Sequence, residues 1–112
     1  MKPTTIVTGA NRGIGLATAE LLAEQGHDVI GTGRTAPESF PGTFYEVDFA
    51  SESNLAEVGA EIADKHPVTG IVNNAGISWA RSIDTVTLEE MDAHYQVNVR
   101  AVVQITQQML PR

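Results

Sequence analysis

A short apolar stretch, Thr5-Ile6-Val7, runs directly into Thr8-Gly9-Ala10-Asn11-Arg12-Gly13-Ile14-Gly15, and that run opens a segment with apolar residues at helical spacing. Strand, glycine-rich turn and helix start, in that order, constrain this chain more than any other feature. A helix N-terminus carries roughly half a positive charge and several N–H groups with no partner inside the helix. Glycines let an anion reach that end with no Cβ in the way. The layout suits backbone capture of a pyrophosphate, and so a dinucleotide. Gly9 is expected to make the tight turn, Gly13 the close approach to pyrophosphate and Gly15 the close helix–strand contact. Thr8, Asn11, Arg12 and Ile14 complete the candidate cradle. The spacing is Gly-x-x-x-Gly-x-Gly rather than Gly-x-Gly-x-x-Gly, and a plain turn stands as the alternative.

The rest of the chain alternates short β-rich runs with helical patterns, which predicts an α/β fold with a parallel sheet and crossover helices. Strands are expected over Thr4–Thr8, Asp28–Gly33, Thr43–Val47 and Thr69–Asn73. The first helix spans Gly13–Gln25, with Leu16, Ala19 and Ala23 among its apolar positions and Gly26 at its end. Ser53 is expected to cap a second helix that runs to about Lys65, with Leu55, Val58 and Ile62 at helical spacing. A loop follows over Asn74–Val86. Thr87-Leu88-Glu89-Glu90 has the pattern of a capping box, and one long helix is expected from it to Met109.

Composition narrows the function classes. At 112 residues the chain is one domain, large enough for a core of its own. Fourteen acidic residues against seven basic ones give a net charge of −7, which repels nucleic acid and anionic membranes. The absence of cysteine excludes disulfides and thiolate metal sites, and the three histidines have no metal-ligand spacing. No apolar stretch approaches the ~20 residues of a membrane helix, and Met1-Lys2-Pro3 leaves no room for a signal peptide before the first strand. A cytoplasmic location is the expectation.

Three further positions bear on a dinucleotide. An NAD site places an acidic residue about 20 positions beyond the glycines, on the ribose 2′-hydroxyl. Here the second strand ends Gly31-Thr32-Gly33-Arg34. A guanidinium there suits a 2′-phosphate, and Arg12 could reach the same group. The alternative is a pair of solvated arginines. Asp48, after strand three, could accept from an adenine amino group or equally could cap a turn before Ser51 and Ser53. Asn73-Asn74-Ala75-Gly76 closes strand four at the sheet edge where ligands bind. Local pattern alone makes it a turn.

Thr8–Gly15, Asn73–Gly76 and Asn98 in Val97-Asn98-Val99 together resemble the short-chain dehydrogenase/reductase family. That family carries Thr-Gly-x-x-x-Gly-x-Gly and Asn-Asn-Ala-Gly at about this separation, and the resemblance covers essentially the whole chain. It implies a truncated Rossmann fold with strand order 3-2-1-4, NAD(P)-dependent alcohol–carbonyl oxidoreduction, and NADP(H) preferred over NAD(H). It places Asn74, Ala75 and Gly76 beside the adenosine ribose, Asp48 beside adenine, and Arg34 with Arg12 on the 2′-phosphate. It assigns Asn98 to the catalytic tetrad, where it holds a water of the proton relay. Without the resemblance, Asn98 is a polar residue in a helix with a local bond.

The same family needs a serine and a Tyr-x-x-x-Lys pair. Four residues after Tyr45 is Phe49, and four after Tyr95 is Val99, so no such pair is present. The chain is expected to be an N-terminal half, holding the cofactor's adenosine end and inactive alone. An exposed edge at strand four and a last helix rich in apolar positions, including Tyr95, Val99 and Val103, predict a homodimer or other self-association through that edge or that helix. A non-catalytic, self-associating protein is the alternative reading. Trp79 is expected to pack, and His27, His66 and His94 to lie on surfaces or helix faces.

Overall fold

The computed structural model describes residues 2–111. Four parallel strands, β1 (Thr4–Thr8), β2 (Asp28–Gly33), β3 (Thr43–Glu46) and β4 (Gly70–Val72), form one sheet in the order β3-β2-β1-β4. Helix α1 (Gly13–Glu24) crosses from β1 to β2, a helix-free segment joins β2 to β3, α2 (Glu52–Lys65) crosses from β3 to β4, and α3 (Leu88–Tyr95) and α4 (Ala101–Met109) follow β4. This is the truncated Rossmann architecture expected from the sequence.

All five residues of β1 are buried, as a central parallel strand covered on both faces requires. Its side chains alternate between two cores. Ile6 packs with Ile30, Leu55, Ile62, Val97, Ala101 and Ile105, on the face that α2 and α4 cover. Val7 packs with Ala10, Ala19 and Val29 under α1. Two glutamines lace α4 to α2: Gln104 and Gln108 donate to the carbonyls of Glu52 and Ala56 at 3.0 and 2.9 Å.

Helix α1 stops where Gly26 takes φ +94°, with the N–H groups of Gly26 and His27 returned to the carbonyls of Ala23 and Leu22. The cap of α2 is Ser51, not Ser53. The Ser51 hydroxyl accepts from the Asn54 N–H at 3.1 Å, because a turn at Asp48 delivers the chain to the helix two residues earlier than expected. The long final helix is also not one α-helix. It carries a π-helical segment, Gln96–Arg100, between α3 and α4. The capping box at Thr87 and Glu90 forms as expected.

Candidate nucleotide-binding site

The C-terminal ends of β1, β2 and β4 and the start of α1 meet at one edge of the sheet. Gly9 turns the chain out of β1 at φ +64°, a conformation costly for any residue with a Cβ. Gly13 also has positive φ, and a Cβ there would meet nothing within 4 Å, so the helix start faces open space. Gly15 is the opposite case. A Cβ on it would overlap the Gly9 carbonyl oxygen and lie 2.6 Å from Asn74 Nδ2. The helix therefore rests directly on the turn.

Thr8 joins the two motifs. Its hydroxyl accepts from the backbone N–H groups of Asn74 and Ala75, both at 3.0 Å, and donates to the Val72 carbonyl. The Asn74 amide donates to the Gly9 carbonyl at 3.1 Å. The glycine run and the Asn-Asn-Ala-Gly turn are thus one hydrogen-bonded unit. Asn11 lies against Gly33, where a Cβ would sit 2.7 Å from its Oδ1.

The first helix differs from the next two in its cap. Ser51 caps α2 and the Thr87–Glu90 box caps α3, and both helices carry acidic residues in their first turn. Helix α1 has Arg12 at its N-cap with no side-chain hydrogen bond and no acidic residue in its first turn. A cation at the positive end of a helix is unfavourable unless an anion joins it. Ile14, beside it, is 78% exposed.

Charge pairing separates the basic residues in the same way. Lys2, Lys65, Arg81 and Arg100 pair with Asp28, Glu61, Glu90 and Glu52. Among the described residues, Arg12 and Arg34 alone of the basic side chains have no ion pair, and both are exposed. Asp48 shapes the turn into α2: its Oδ1 accepts from the Ala50 N–H at 2.9 Å, while its own N–H donates to Asn54 Oδ1 at 2.8 Å.

Asn98 lies in the π-helical segment and grips the loop after β4. Its Oδ1 accepts from the Ile77 N–H and its Nδ2 donates to the Ile77 carbonyl, both at 2.9 Å. Single-turn π-bulges recur at functional sites. A local bond was the structural expectation for this residue, but the partner lies 21 positions away.

The sequence reading missed how much else fastens this loop. The Trp79 N–H lies 3.2 Å from His94 Nε2, and Arg81 binds Glu90 at 2.6 Å. The Thr87 N–H and the Arg81 guanidinium hold the Glu90 carboxyl below the usual glutamate range. The four-residue spacing of Glu90, His94 and Asn98 was the available signal. An open cavity of about 610 Å³ lies here, with Trp79, Ile83, Met91 and Tyr95 in its wall. Among the described residues, no group of His, Cys, Asp and Glu could hold a metal ion, and no helix is long and apolar enough to cross a membrane.

The geometry has close counterparts. A crystal structure of a short-chain dehydrogenase from Burkholderia cenocepacia in complex with NADP superposes with a TM-score of 0.83 at 31% identity, over 96% of this chain and 49% of that one. The NADP-dependent (R)-specific alcohol dehydrogenase of Lentilactobacillus kefiri is 36% identical over 87% of this chain and 43% of its own length. The NADPH-dependent 3-dehydrocapnine reductase of Ornithobacterium rhinotracheale is 33% identical over 94% of this chain and 41% of its own. The chain therefore spans less than half the length of these two relatives. The family model for short chain dehydrogenase matches residues 3–112, and the chain belongs to that family.

Proposed function

We propose that this chain forms the adenosine-side half of an NADP(H) site of an alcohol–carbonyl oxidoreductase. The observation that carries the reading is the isolation of Arg12 and Arg34: four of the six described basic side chains are ion-paired, and these two are not. Arg12 stands at the one helix start, of the first three, that has no side-chain cap, and Arg34 follows Gly33, against which Asn11 lies. A 2′-phosphate and a pyrophosphate supply the anions this arrangement lacks. Gly9, Gly13, Ile14 and Gly15 would receive the pyrophosphate with Thr8 and Asn11 behind them. Arg34 and Arg12 would take the 2′-phosphate, Asp48 the adenine amino group, and Asn74, Ala75 and Gly76 the ribose side. NADP(H) bound here would supply the hydride donor or acceptor. Asn98 touches the loop beside the cradle and is the one candidate for the proton relay. With no Tyr-x-x-x-Lys, the 112 residues would not complete hydride transfer alone. A cytoplasmic setting belongs to the same proposal.

Calorimetric titration tests the assignment. NADP⁺ is expected to bind one to one and more tightly than NAD⁺. Arg34→Ala should weaken NADP⁺ binding about tenfold, as expected for loss of a charge-assisted contact, and leave NAD⁺ unchanged. Equal binding of the two nucleotides, or no effect of Arg34→Ala, would remove the NADP assignment.

Self-association is a second reading, favoured by Tyr95, Val99 and Val103. They recur every four residues and are 56, 43 and 52% exposed. β4 also pairs on one side only, with β1. A second copy of the chain would cover this helix face. Sedimentation velocity should then find a dimer that Val99→Glu dissociates; a monomer at all concentrations would exclude it.

A further inference from the structure

The loop after β4 is fastened to the helix that follows at three points in antiparallel order: Ile77 to Asn98, Trp79 to His94, and Arg81 to Glu90. The three helix residues are spaced by four and so stand on one face. In a regular α-helix each four-residue step drifts about 40° around the axis. A π-helical segment, Gln96–Arg100, closes i→i+5 and turns less per residue, which opposes that drift between His94 and Asn98.

The middle fastening sets a condition on protonation. A backbone N–H can be accepted only by an unprotonated ring nitrogen, and the Trp79 N–H points to His94 Nε2. His94 Nδ1 lies 2.7 Å from the Glu90 carbonyl, which accepts only. These two contacts fit an imidazole that carries its proton on Nδ1 and leaves Nε2 free to accept. A second proton on Nε2 would set two donors against each other. The Trp79 ring stands edge-on to the imidazole at 4.8 Å, so it reports on the same event.

We infer that His94 is a positioning residue for the Asn74–Gly76 turn, holding the following loop through Trp79 when neutral and releasing it when protonated. The link is short. Thr8 fixes Asn74 and Ala75, Asn98 fixes Ile77, and Gly76 between them has its Cβ position 3.2 Å from Asn98 Oδ1. With the Trp79 bond gone, the Asn98 pair alone holds that end. The ionisable groups on the elements around His94 are Glu89, Glu90, Asp92 and Tyr95 on α3, and Arg81 and Asp84 on the loop. Arg81 and Glu90 pair with each other, which offsets their fields at the imidazole. The role in binding rests on the nucleotide reading above; the fastening does not.

Trp79 is the sole tryptophan, and the other two histidines bond elsewhere, His27 to Thr5 and His66 to Tyr45. Tryptophan emission is followed from pH 8 to pH 5 without nucleotide, and NADP⁺ affinity is measured calorimetrically over the same range. Imidazole ordinarily changes charge within that window. The wild-type chain should lose emission in a one-proton step and lose about fivefold in affinity with it, beyond the change seen in His94→Gln. His94→Gln offers an amide oxygen that does not titrate, so its emission should stay flat. It also corrects for titration of the 2′-phosphate itself. His94→Phe, with no acceptor, should bind NADP⁺ at pH 8 about fivefold more weakly than the wild type at that pH. Circular dichroism checks that each variant is folded. An emission step that persists in His94→Gln, or no step in the wild type, would overturn the fastening. An affinity that ignores the emission step would overturn the role in positioning. Absence of NADP⁺ binding at every pH would remove the nucleotide reading and that role, while the emission step still decides the fastening.

Discussion

Gly15→Ala sets two physical effects against each other. Gly15 lies in the first turn of α1, and replacing glycine by alanine in a helix stabilises by about 1 kcal/mol on propensity alone. The contact geometry opposes this. The new methyl would overlap the Gly9 carbonyl oxygen and lie 2.8 Å from the Gly9 carbonyl carbon and 2.6 Å from Asn74 Nδ2. The first two neighbours are backbone in a turn fixed by positive φ at Gly9, so they cannot swing aside as a surface side chain would. Separating helix and turn costs about 1–3 kcal/mol as overpacking, and the Asn74–Gly9 hydrogen bond contributes about 1 kcal/mol more when lost. The net expectation is destabilisation of about 1–3 kcal/mol, a fall in Tm of roughly 4–12 °C for a domain this size. Urea unfolding of both proteins measures it. A Gly15→Ala chain as stable as the wild type, or about 1 kcal/mol more stable, would refute the claim that the helix rests on the turn.

Thr8→Ala leaves two backbone N–H groups, of Asn74 and Ala75, without their acceptor and should cost about 2–4 kcal/mol in urea unfolding, with Thr8→Ser recovering most of it. A serine as damaging as the alanine would deny the hydroxyl its role. The Thr32 hydroxyl is buried with no partner among the described residues, so Thr32→Val should be neutral or stabilising by up to about 1 kcal/mol; a marked loss would mean the hydroxyl is satisfied. Glu90 has its carboxyl lowered from an ordinary 4.5 by the Thr87 N–H and by Arg81. The stability it contributes is therefore full above that ordinary value and lost as pH falls through the lowered one. Thermal unfolding from pH 7 to pH 3 should show a shallower acid decline in Glu90→Gln than in the wild type, and equal slopes would contradict the assignment.

The strands and the first helix were legible because their signals are local. Buried parallel strands read as short β-branched runs, and Gly26 marks a left-handed stop with little ambiguity. The capping box at Thr87 was legible for the same reason, since both partners lie within four residues. What escaped depends on contacts distant in sequence. Ser51 caps α2 in place of Ser53 because the turn at Asp48 sets the entry, and two nearby serines look alike without it. The π-helical segment leaves no propensity signature. It accompanies the long-range grip of Asn98 on Ile77. His94 carried no signal alone; its bond to Trp79 requires the loop to fold back across 15 positions. The cradle residues were named by motif, whereas the isolation of Arg12 and Arg34 from every carboxylate among the described residues emerged only from the fold.

If these 112 residues grip the adenosine end of NADP(H) and little else, NADP⁺ and 2′,5′-ADP compared in one calorimetric series will bind alike. The fragment keeps the adenine, the 2′-phosphate and one phosphate of the pyrophosphate. Both should bind saturably, with affinities within about tenfold, or ~1.4 kcal/mol, of each other. NADP⁺ binding far tighter than 2′,5′-ADP would place a nicotinamide site within this chain, and saturable binding of neither would rule out a nucleotide site here.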